Sequence, residues 1–279
     1  MPFIEYQECV RRLRAQVAAR RPIVGAGAGT GISAKFAERG GVDLIIIYNS
    51  GRYRMAGRGS LAGLMPYGDA NAIVVDMARE VLPVVRDTPV LAGVCGTDPF
   101  RLMRVFLPQL KEMGFDGVQN FPTVGLIDGH FRQQLEETGM GIHLEVEMIA
   151  CAHALEMLTC PYVFDEEQAT QFTQAGADLV VAHVHTTTGG SIGVTGSAMS
   201  LDEAVDRVQA IHDAAKRANP EVMVLCHGGP IAQPKDAQYV LERTRGIAGF
   251  FGASSIERLA TEPAIEEQAR RFKELTVNR

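Results

Sequence analysis

Short apolar runs alternate with amphipathic stretches along the whole chain. Eight runs read as strands: 22–27, 43–48, 89–95, 117–121, 161–164, 178–183, 222–227 and 247–251. Most are apolar without alternation (LIII, LVVA, VMVL), the pattern of parallel strands covered on both faces. Helical periodicity fills the intervals, at 70–81, 100–113, 166–175, 201–218 and 235–243. Glycines at Gly40, Gly41, Gly114, Gly176 and Gly246 stop helices just ahead of the next strand. The phrases GGVDLIII, MGFDGVQ and AGADLVV repeat one device, helix end, then aspartate, then strand.

Eight such units over about 250 residues match the size of a (β/α)8 barrel. The pattern predicts one domain spanning 1–279, with the barrel proper at about 22–273. A helix around Leu13 and Val17 is expected beneath the barrel floor, and an extra helix at 141–158 between strands four and five. A doubly wound nucleotide-binding sheet is the rival, suggested by GAGAGTG at 25–31. Its spacing fails, because Thr30 and Ile32 stand where GxGxxG needs its last glycine, so neither nicotinamide nor flavin is expected.

Composition narrows the partners. The 279 residues carry 27 basic and 33 acidic side chains, a net charge of −6, which disfavours nucleic acid and anionic membrane surfaces. The five cysteines show no CxxC spacing, so a disulfide framework is not expected and a reducing, cytoplasmic setting is. The N-terminal stretch lacks the apolar core of a secretory signal, and no run reaches the ~18 apolar residues that span a bilayer.

In barrels of this kind chemistry sits at the C-terminal ends of the strands. Three neighbouring loops there are small and amide-rich: Gly189-Gly190-Ser191, Gly228-Gly229, and Gly252-Ala253-Ser254-Ser255. Together they predict an anion site in which backbone N–H groups grip a phosphate. The loop at 49–68 is far longer than usual and carries Arg52, Arg54 and Arg58 without an acid. It is expected to fold over the mouth as a lid, with Asn49, Arg52 and Arg54 meeting an anionic ligand.

Proton-transfer candidates follow. His183 ends strand six and shares its face with His185; HxH also suits zinc, although the companion ligands that barrel metallohydrolases place after strands one and eight are missing here. His227 closes strand seven, placed to act as a general acid or to cap the barrel. Glu145 falls on the apolar arc of the extra helix, where burial raises a carboxyl pKa toward the range of a general acid or base. Asn120 ends strand four. All five lysines lie in predicted helices, so Schiff-base chemistry is disfavoured. The extra helix also has apolar residues on two sides, which predicts a homo-oligomer.

Several long phrases then point one way: GAGTGISAKFAERGGVDLIIIYNSGRYRMAGRGSLAGLMPYGDAN, VCGTDPF, DGVQNFPTVGLIDG, GMGIHLEVEMI, TTGGSIG, CHGGPIA and GFFGASSIERL. Over nearly the whole chain the sequence resembles the phosphoenolpyruvate hydrolase-like TIM-barrel family. The resemblance implies a barrel related in architecture to phosphoenolpyruvate mutase and isocitrate lyase, usually oligomeric. It implies action on a small phosphorylated carboxylic acid, phosphoenolpyruvate or a near relative, by hydrolysis or enolate chemistry, with carbon–carbon cleavage or isomerisation as a variant. A non-catalytic barrel that binds such a metabolite and signals is the alternative from another class. Magnesium is a possible cofactor by this resemblance, but the paired acids of the mutase pattern are missing after the early strands.

Overall fold

A computed structural model describes residues 4–195 and 199–278. Its strands are β1 (Ile23–Gly27), β2 (Leu44–Ile47), β3 (Val90–Gly93), β4 (Gly117–Gln119), β5 (Leu158–Thr159), β6 (Tyr162–Val163), β7 (Leu179–His183), β8 (Met223–His227) and β9 (Gly249–Gly252). All pair in parallel, in the order β5-β4-β3-β2-β1-β9-β8-β7-β6, so the sheet curls until its two edges are neighbours in the chain. Helices cover the outside, and nearly every strand residue is buried.

The predicted fifth strand is the place where expectation and structure differ. The segment 158–163 contributes two short strands, one on each edge of the sheet. Pro161 has no N–H for the ladder, so pairing breaks there. The Pro161 carbonyl still accepts from Val181 N at 2.8 Å. Side chains restore the rest: Gln119 donates to the Cys160 carbonyl at 3.0 Å, while the Asn120 amide accepts from Tyr162 N at 2.7 Å and donates to the Tyr162 carbonyl at 3.2 Å.

Between β4 and β5 the chain forms two helices rather than one, α6 (Gly129–Glu137) and α7 (His143–Ala154). The second stops short of Leu158 because Glu156 turns into the left-handed region at φ 51° and releases Met157 and Leu158 to the core. Its second apolar side is covered within the chain: Leu144 is half-buried, and Val146, Cys151 and Leu155 pack against the hydrophobic core. The patch that predicted an oligomer is thus mostly closed.

The aspartate device has a clear job at the N-terminal end of the sheet. Asp43 accepts from Val24 N at 2.8 Å, Asp116 from Val90 N at 2.8 Å and from Ile4 N at 2.7 Å, and Asp178 from Thr159 N at 3.0 Å. Each carboxylate takes the amide at the start of a neighbouring strand, which has no ladder partner there. The helix predicted under this floor is α1 (Tyr6–Ala18), anchored by Cys9 and Leu13 and by Tyr6, whose hydroxyl donates to Asp178 at 2.7 Å.

A candidate active site at the C-terminal strand ends

A cavity of about 40 Å³ opens at the C-terminal end of the sheet, room for about three water molecules. His183 and His227, the last residues of β7 and β8, form its base; the register pairs them directly, and their rings meet edge to face at 4.6 Å. Tyr162 stacks on His227 at 5.2 Å. Hydroxyls of Tyr48, Ser50, Ser60, Thr186, Thr187 and Ser254 supply the polar wall. Leu61, Leu126, Phe121 and Ala253 supply the apolar one.

Both imidazoles are held neutral. Burial pushes His183 well below its ordinary value, and the neighbouring His227 and His185 add to this. Burial likewise brings His227 down to about 4. His227 Nδ1 lies 2.7 Å from the Phe251 carbonyl, which can only accept, so the ring proton sits on Nδ1 and Nε2 keeps its lone pair. His183 Nδ1 is buried and without a hydrogen-bond partner.

The turn Ser60–Leu64 of the long loop lies over this cavity. Asn49 donates to the Gly63 carbonyl at 2.8 Å and Ser50 to the Ser60 carbonyl at 2.6 Å, while Ser60 and Ser254 hydroxyls meet across the mouth at 3.3 Å. Asn49 Oδ1 is a further buried atom without a partner.

Glu145 lies behind the wall rather than on it. Its carboxylate is fully buried on α7 and accepts from Asn120 and Thr123 at 2.7 Å and from Val124 N at 2.8 Å. Burial raises its pKa to about 7 even though those three donors favour the ionised form. The group therefore fixes the segment after β4 that carries Phe121 and Leu126 to the cavity.

Several predicted ligand groups are engaged elsewhere. Arg52 pairs with Asp76 on the surface at 3.0 Å. Arg54 is buried, 2.6 Å from Glu257, whose other oxygen accepts from Gly29 N at 2.6 Å. The amide and hydroxyl of Ser191 both donate to Glu262, and Arg258 donates to the Gly189 carbonyl, tying the Gly189-Gly190-Ser191 turn to the helix Arg258–Lys273. Gly229 N donates to the His185 carbonyl. Gly228 and Gly229 have positive φ, and a Cβ on either would fall 2.2 Å from a carbonyl oxygen of the β7 loop. Those glycines answer a close backbone crossing. Of the last loop, Ala253 and Ser254 line the cavity; Gly252 packs on Ile256, and Ser255 keeps a buried hydroxyl without a partner.

Tyr48, Tyr162, Phe121 and Leu126 are wall residues that the sequence did not single out. Tyr48 was findable: it directly follows β2, and side chains just past the C-terminal end of a strand reach the mouth.

The Phosphoenolpyruvate hydrolase-like family matches residues 8–275. The ToMV susceptible protein tm-1(GCR26) of Solanum lycopersicum is 62% identical over 268 residues, covering 96% of this chain and 35% of that protein. The chain therefore spans about a third of the length of that curated relative. Among solved structures, a phosphonopyruvate hydrolase complexed with oxalate and Mg++ superposes with a TM-score of 0.58 at 18% identity, covering 95% of this chain and 87% of the other. A phosphoenolpyruvate phosphomutase from Streptomyces platensis subsp. rosaceus gives 0.61 at 17% identity, with 95% and 87% covered. At such identities the likeness is one of fold, a curled parallel sheet wrapped by helices. By sequence, this chain belongs to the Phosphoenolpyruvate hydrolase-like family.

Proposed function

We propose that this chain is a (β/α)8-barrel enzyme that moves a proton on a small carboxylic acid, phosphorylated or not, through an enolate or by activating water. In this reading the interrupted segment 158–163 acts as one strand of eight. One observation carries it: two neutral histidines at the C-terminal strand ends face a small hydroxyl-lined cavity, one with its proton fixed on the far nitrogen. A base must be unprotonated at working pH to accept a proton, and His227 Nε2 meets that requirement. The paired hydroxyls of Ser60 and Ser254, with that of Thr186, are the groups that would hold a carboxylate or carbonyl oxygen, the Ser50 proton being already donated to the Ser60 carbonyl.

His183 is the second proton carrier in this scheme, and Asn120 and Glu145 are positioning residues that fix the loop after β4. The turn Ser60–Leu64 acts as the lid, since Ser60 and Leu61 line the cavity and Ser60 meets Ser254 across its mouth. The test is solvent deuterium exchange. Pyruvate and related 2-oxo acids are incubated with the chain in D2O and followed by proton NMR. Loss of the C3 proton signal with wild type but not with His227→Asn supports the proposal. Ligand-induced stabilisation with no exchange or turnover would favour a binding protein instead.

A further inference from the structure

The solved phosphonopyruvate hydrolase complex holds Mg++. Among the described residues, no three His, Cys, Asp or Glu side chains come together in a way that could hold a metal ion. Three carboxylates packed behind the C-terminal strand ends are each engaged already, and none lines the cavity. Glu145 accepts from Asn120, Thr123 and Val124 N; Glu257 accepts from Arg54 and Gly29 N; Asp98 accepts from Asn71, Arg101 and Phe100 N.

Positive charge is missing from the wall as well. Among the described residues no arginine or lysine lines the cavity, and the guanidinium of Arg54, which lies over the Tyr48 ring, is neutralised by Glu257. What faces the ligand is a set of hydroxyls and two imidazoles. Hydroxyl donors stabilise a charged acceptor, whereas each charge moved into a dry site must first give up its hydration. Donors of this number can offset one negative charge; a second has no counter-charge to meet it.

We infer that the mouth binds its ligand without a divalent cation, through uncharged donors. It therefore selects a neutral or singly charged small hydroxy- or oxo-acid over oxalate or a phosphate ester. The inference rests on the reading of the mouth as a small-acid site and departs from the phosphate cradle expected from the glycine loops.

Two measurements on the full chain, after dialysis against EDTA, test it separately. In the first, Mn2+ is titrated and followed by electron paramagnetic resonance, alone and with oxalate or phosphoenolpyruvate present. An undiminished free-ion signal is expected; binding of one Mn2+ per chain in any arm overturns the cation-free assignment. In the second, pyruvate and lactate are compared with oxalate and phosphoenolpyruvate by calorimetry in EDTA. The monoanions should bind at least roughly tenfold more tightly, a difference of about 1.4 kcal/mol, and Ser254→Ala should weaken them. Tighter binding of oxalate or phosphoenolpyruvate overturns the selectivity. If no acid binds, the small-acid reading fails together with the selectivity, and the Mn2+ titration decides the cation by itself.

Discussion

The two ends of the sheet treat polar groups in opposite ways. At the N-terminal end Asp43, Asp116 and Asp178 are each bonded to backbone amides, and none of their oxygens is without a partner. At the C-terminal end Asn49 Oδ1, Arg54 Nη1, His183 Nδ1 and Ser255 Oγ are all buried and unpartnered. An unpaired buried polar atom costs about 1–3 kcal/mol, so a fold tolerates several in one place only where they have other uses. That pattern is the one expected of a floor built for stability and of a mouth that serves the proposed chemistry.

That contrast can be broken at several points. The largest effect is expected at the floor. Asp178→Ala removes the acceptor for Thr159 N, the Thr159 hydroxyl and the Tyr6 hydroxyl. The stability loss, read from urea unfolding, should be about 3 kcal/mol. A loss under about 1 kcal/mol would mean the floor is no more costly to disturb than the mouth.

Acid should act on the two ends with opposite sign. Burial raises Asp116 to about 6 in the folded chain, above its unfolded value. The folded state therefore holds the extra proton between the two values, and this group's contribution weakens as pH rises toward 6. Burial lowers His227 to about 4, so its contribution is complete above about 6.5 and is lost as pH falls toward 4. Each shift corresponds to roughly 2–3 kcal/mol across its window. Comparing urea midpoints at pH 4.5 and 6.5 checks the signs: Asp116→Asn should make the chain more acid-sensitive, and His227→Asn less so.

Ser254→Ala is the smaller test at the mouth. It deletes a hydroxyl whose recorded contact is Ser60 at 3.3 Å. Stability should change by less than about 0.5 kcal/mol, while small-acid affinity falls roughly tenfold, about 1.4 kcal/mol. The reverse outcome would place Ser254 in the structural framework.

The smallest expected effect concerns association. If light scattering gives a mass above 30.2 kDa, the interface belongs where large apolar side chains are exposed, as at Ile32, Phe36 and Ile265. Ile32→Asp should then restore the monomer, and Leu144→Asp should not. The opposite pattern would return the interface to the helix His143–Ala154.

Much of the architecture was legible in the sequence because its causes are local. Continuous apolar runs, glycine stops and the aspartate before three of the strands depend on neighbours a few residues away. The helices Ala70–Val81 and Leu201–Ala218 begin and end where periodicity predicts. The split at Pro161 was not read from the sequence, where the apolar run 161–164 stands as one strand beginning at that proline, and neither was its repair by Gln119 and Asn120. Those two side chains act across 41 and 42 residues of sequence.

The site divides in the same way. Sequence alone placed His183, His227, Ala253 and Ser254 at the C-terminal strand ends, where they line the cavity, because strand direction fixes where each strand ends. Only the tertiary structure decided which candidates were free to meet a ligand. Arg54 is taken by Glu257, 203 residues away; Ser191 is taken by Glu262, 71 residues away; the glycine pair at 228–229 is consumed by a backbone crossing. A charge or an amide reads the same in a sequence whether it is spent or available. Its availability depends on partners that only folding brings within hydrogen-bond reach.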